Sequence, residues 1–86
     1  MARTLFQFSL DARCHLALSR VLRCVDADRA TDHEIMAYED AHTVGFNRPD
    51  AETPPTFFVG EDALLSAWSE GKQDARVYAA NAVFDF

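Results

Sequence analysis

The sequence predicts an α+β fold of the ferredoxin-like kind: a βαββαβ order with an antiparallel sheet and two helices on one face. Three observations predict it. Apolar residues alternate at both ends of the chain, two internal stretches carry them at helical spacing, and the one long turn-rich segment falls between the halves.

"TLFQFSL" sets Thr4, Phe6, Phe8 and Leu10 on one side and Leu5, Gln7 and Ser9 on the other, the period of two of a half-buried strand over residues 3 to 10. Asp11 then suits the entrance of a helix, where its carboxylate accepts exposed backbone N–H groups. Projected at about 100° per residue, residues 13 to 25 gather Cys14, Ala17, Leu18, Val21, Leu22 and Val25 on one side. Opposite them stand Arg13, Leu16, Ser19, Arg20 and Arg23. That second face is either a solvated helix surface or a contact face for an acidic partner or phosphate, with Leu16 as its exposed apolar anchor.

Residues 32 to 43 carry conflicting signals. Thr31 and Glu34 have the spacing of a capping box and favour a helix, whereas Ile35 and Ala37 alternate with Met36 and Tyr38 as in a strand. The fold expectation takes the strand; a helix here would leave three strands and three helices. "NRPDAETPP" is a loop, because its three prolines exclude regular structure. "TFFVG" follows as a short buried strand and "EDALLSAWSEG" as a helix, with Glu61 and Asp62 at its positive end and Gly71 as its cap. "RVYAANAVFDF" closes the chain as a strand with Tyr78, Ala80, Ala82, Phe84 and Phe86 on one face.

At this length residues 1 to 86 form a single domain, burying only about 60–65% of the unfolded surface. Hydrophobic residues make up 49% of the chain, including seven Phe, two Tyr and one Trp, too apolar a composition for disorder. The net charge of −6 divides unevenly, +2 over residues 1 to 29 and −8 over the rest. Direct nucleic-acid binding is therefore not expected. No apolar run is long enough for a membrane span, and "MARTLFQFSL" lacks a cleavage-site pattern, so the expectation is a cytoplasmic protein.

"ALSRVLRCVDADRATDHEIMAYED" resembles the first βαβ unit of ACT domains, especially those of the small regulatory subunits of acetohydroxyacid synthase. Leu18, Arg20, Val21, Leu22 and Val25 carry the likeness, and "FFVGEDALLSAW" is similar to the third strand and second helix of such a domain. The resemblance implies a regulatory module that senses a small ligand at the turn "DARCH", which makes Asp11, Arg13 and His15 the candidate ligand-binding residues. It also agrees with a dimer joined through sheet edges.

Cys14 and Cys24 lie ten residues apart on one helix, about 15 Å, too far for a disulfide. They read as core thiols, unless Cys14, beside Arg13 and His15, is exposed and activated. His15, His33 and His42 show no metal-ligand spacing, and no metal or cofactor is expected. The pairs Glu39–Asp40 and Glu61–Asp62 answer to strand alternation and helix dipole rather than to paired-carboxylate chemistry. The three glycines are too few for a phosphate-binding loop. An enzyme is not expected, save for a third possibility of a small enzyme working at a dimer interface.

"FNRPDAETPPTFF" is a connector or a contact loop, in which Arg48, Asp50 and Glu52 are flanked by the aromatic anchors Phe46 and Phe57. Two functional expectations follow. One is a regulatory or binding module that docks to a partner protein through Leu16, Arg20, Arg23 and this loop. The other is a small acidic inhibitor, of the immunity-protein or phage anti-CRISPR type, that covers a basic site with Glu39, Asp40, Asp50, Glu52, Glu61 and Asp62 in place of phosphates.

Overall fold

The computed structural model describes residues 2–84, the last three through their backbone alone. It is built of helices: α1 (Leu5–Leu22), α2 (Ala27–Asn47), a 3₁₀ turn at Thr56–Phe58 and α3 (Asp62–Phe84). No strand occurs among the described residues. The βαββαβ expectation is overturned, and with it the antiparallel sheet, the sheet-edge dimer and the βαβ unit on which the ACT resemblance rested.

The local reasons are legible in the caps. Thr4 accepts from the Gln7 N–H at 3.1 Å, and the Gln7 side chain returns to the Thr4 N–H at 2.7 Å. This reciprocal box starts α1 inside the stretch expected to be a strand. Asp26 caps α2 by accepting from the Arg29 N–H. Thr31 is one turn inside that helix and bonds back to the Ala27 carbonyl. The helical alternative for residues 32 to 43 is therefore the correct one, with the start five residues earlier. "TFFVG" is a tight turn that drives Phe58 completely into the core. Past Gly71, α3 continues through the segment expected as the last strand. The part of that strand formed by Phe86, and the inward faces of Ala82 and Phe84, lie outside the described residues.

α2 is the central element. α1 lies antiparallel to it, with Ser9, Ala12, Leu16 and Ser19 facing Ala30, Ala37, Ala41 and Val44. These small residues let the two backbones approach closely. The buried hydroxyls are satisfied within their own helix, Ser9 by the Leu5 carbonyl and Ser19 by the Leu16 carbonyl.

α3 runs in the same general direction as α2, since His42 meets Asp74 and Phe46 meets Tyr78, while Arg76 reaches back to the Pro49 carbonyl. Two glycines make that packing possible. A Cβ on Gly45 would lie 2.0 Å from the Trp68 carbonyl oxygen, and one on Gly71 would lie 2.1 Å from that of His42. Gly71 is thus a contact residue and not a cap. The turn before α3 needs its own glycine: Gly60 has φ +81°. Phe58, Leu64, Trp68 and Leu16 fill the space between the helices. No helix among the described residues is long and apolar enough to cross a membrane.

Candidate functional site

The arginine face of α1 turns toward the protein. Arg20 grips Glu61 with both guanidinium nitrogens, at 3.1 and 2.5 Å, and Arg13 adds a third contact to the same carboxylate at 3.1 Å. The bond from Arg20, reinforced by both arginine charges, holds the Glu61 carboxyl below its usual range against the opposing effect of its enclosure. Glu61 in turn raises the Arg20 guanidinium. Arg23 pairs with Glu34 and reaches Thr31. Tyr38 donates to Glu34, and burial, helped by that bond, pushes its phenol up.

At the other end of the α1–α2 seam Arg3 bridges Asp11 and Asp40 and lies over the Phe8 ring at 3.9 Å. Its guanidinium is raised, first by Asp11. His15 Nδ1 stands 2.9 Å from His33 Nδ1, with the rings stacked. That bond needs one Nδ1 to donate and the other to accept.

These contacts revise the expected sites. Asp11, Arg13 and His15 do not converge on a pocket; each is held by a different neighbour, because successive α1 residues project about 100° apart. Leu16, expected as an exposed anchor, is only 4% exposed and belongs to the core. Arg20 and Arg23 tie α1 to α3 and α2 rather than presenting a free basic face. Asp40 is buried against Arg3, whereas Glu39, one position before it, is exposed. Asp62 is exposed in the first turn of α3.

The structure does bring the loop residues together. Residues 48–57 arch over an open cleft of about 740 Å³ whose floor is Leu5, Phe6, Val44 and Trp68. Arg48, Asp50 and Glu52 stand on its rim, with Arg48 and Asp50 3.7 Å apart. Of the two expected anchors, Phe57 lines this cleft and packs edge-on against Phe6 at 5.5 Å. Phe46 instead meets Tyr78 on α3. The loop is held by cations of α3: Lys72 donates to the Ala51 carbonyl and Arg76 to that of Pro49. Lys72 also covers the Trp68 ring at 4.3 Å.

No family model, curated protein or solved structure matches this chain. Its site therefore stands on its own geometry. Among the residues lining the cleft there is no histidine or cysteine, and the Ser9 hydroxyl is already bonded to the Leu5 carbonyl. Among the described residues no three His, Cys, Asp or Glu side chains gather in a metal-holding group.

Leu5, Phe6 and Trp68 were not legible as site residues, since their alternation or helical spacing reads as core. The Thr4–Gln7 capping box was the available signal, because a helix starting at Leu5 places Leu5, Phe6 and Ser9 on the turns that face the loop.

Proposed function

We propose that this chain is a non-catalytic binding module that docks to a partner protein, taking an apolar side chain of that partner into the cleft beneath residues 48–57. The observation that carries the reading is the pairing of an apolar floor with a charged rim, the anatomy of a protein contact site. Its volume lies within the range of ligand sites, and its polar side chains offer orientation rather than a nucleophile with an adjacent base. A cytoplasmic location accompanies the proposal, supported by two free, exposed thiols that a reducing compartment would preserve.

Trp68, the sole tryptophan, lines the cleft and reports its occupancy. Partner proteins recovered with the chain should shift Trp68 emission, and Phe6→Ala, at a residue that is largely exposed, should weaken capture at least tenfold without unfolding the protein. Unchanged capture and emission with a folded Phe6→Ala variant would remove the cleft from the account.

A second reading, the acidic inhibitor, is favoured by one observation. Arg3, Arg13, Arg20 and Arg23 are engaged in ion pairs, while Asp28, Asp32 and Glu39 stand exposed along α2 with Ile35 and Met36 beside them. Asp28 and Asp32 are one turn apart, about 6 Å along the axis, close to the interval between successive phosphates. Capture of a basic nucleic-acid-handling protein that disappears on changing these three residues to Asn and Gln would select this reading over the cleft.

A further inference from the structure

We infer that the outer face of α1 is a self-association surface whose occupant is a second, antiparallel copy of the same helix. Leu10, Cys14, Ala17, Leu18 and Val21 on α1, and Val25 in the turn that closes it, are all exposed. The larger ones are far from buried: Leu10 37%, Leu18 44%, Val21 71% and Val25 82% exposed. Projected at 100° per residue, the five on α1 occupy an arc of about 100°, on the side away from α2, and Val25 follows them in the turn.

What identifies the occupant is the spacing. Reversing the set 10, 14, 17, 18, 21, 25 about the point between Ala17 and Leu18 returns the same set. An antiparallel copy related by a two-fold axis there sets Leu10 opposite Val25, Cys14 opposite Val21 and Ala17 opposite Leu18 of the second copy, so every apolar side chain meets another. An isologous contact requires this self-complementarity, and a contact with an unrelated chain does not. The small Ala17 and Cys14 near the axis permit close approach.

Charge agrees with that occupant. The arc contains no ionisable acid or base except Cys14, and the neighbouring Asp11, Arg13 and Arg20 are each paired within their own molecule, Asp11 with Arg3 and both arginines with Glu61. The surface therefore lacks the unpaired charge that would select a foreign partner.

Its size fixes the strength. At roughly 100 Å² of apolar surface for a whole Leu or Val side chain, the stripe with its rim buries about 400–500 Å² per copy. The total of about 800–1,000 Å² lies below the roughly 1,200 Å² at which stable specific interfaces begin and in the range of weak, transient contacts. The dimer is reversible, and added salt strengthens it, because each copy carries a net charge of −6.

This assignment is independent of the cleft, which none of these six residues lines. Sedimentation equilibrium from micromolar to millimolar concentration tests it. The wild type should rise from 9.6 kDa toward twice that mass, more readily at higher salt, and Val21→Glu should weaken the rise at least tenfold while leaving the circular dichroism spectrum unchanged. The register is tested by mild oxidation with copper phenanthroline at high concentration. Val21→Cys should cross-link efficiently to Cys14 of the other copy. Combined with Cys14→Ser it should not, because positions 21 and 21 are about 10 Å out of register. A wild type that stays monomeric throughout, or that responds to vesicles rather than to its own concentration, would overturn the inference, as would equal cross-linking in both cysteine variants.

Discussion

Gly45 and Gly71 show how much one hydrogen atom decides. Alanine is the better helix former by about 1 kcal/mol, yet at either position its methyl group would meet a backbone carbonyl about 2 Å away, and backbone in a packed helix pair cannot yield. Gly45→Ala and Gly71→Ala should each lose about 2–3 kcal/mol or more in urea unfolding. Glu61 supplies a second test. Its carboxyl is depressed in the folded protein, so its contribution is present above the unfolded value of 4.5 and is lost as pH falls through the lower folded value. Glu61→Gln should lower the melting temperature at pH 7, and the difference from wild type should fade below about pH 4.5. Tyr38 works in the opposite sense: its raised phenol favours the fold below pH 10, and that contribution is lost as pH rises beyond it. At this scale the sequence was only partly legible. Gly71 and a helix-ending glycine are the same residue, and only the neighbouring carbonyl of His42 distinguishes them.

Among the elements, α1 carries the main lesson. Its strongest apolar arc, Cys14, Ala17, Leu18, Val21, Leu22 and Val25, was read as the core side, but the buried line is the weaker one of Ser9, Ala12, Leu16 and Ser19. A hydrophobic pattern identifies the apolar face, whereas small residues and compensated arginines determine which face another helix can approach. The alternation in "TLFQFSL" spans too few residues to distinguish a strand from the first turns of a helix, and the capping box decides it. Thr4→Ala should therefore cost about 1 kcal/mol and fray the start of α1, measurable as lost amide protection there. The 3₁₀ turn is small but anchors the core through Phe58, so Phe58→Ala should cost about 3–5 kcal/mol in the same denaturation assay.

For the molecule as a whole, length and composition led to the expectation of one domain with a hydrophobic core, and the helical alternative for residues 32 to 43 was visible in the caps. The arrangement was not, because it depends on meetings across 30 residues or more, such as Arg20 with Glu61 and Arg3 with Asp40. Those meetings consume most of the basic side chains near the N-terminus and leave exposed, among the described residues, an apolar cleft, an acidic stripe on α2 and an apolar stripe on α1. The cleft floor at Leu5 and Phe6 and the apolar stripe both depend on how α1 is turned about its own axis. The rate at which a disulfide reagent labels Cys14 measures that orientation most directly, in a Cys24→Ser variant kept at about 1 μM so that it remains monomeric. With α1 turned arginine-side inward, Cys14 is exposed and should react within a few-fold of its rate in the urea-unfolded chain. Protection by a factor of 10³ or more, the scale set by global unfolding, would mean that the apolar stripe faces the core and would contradict the account.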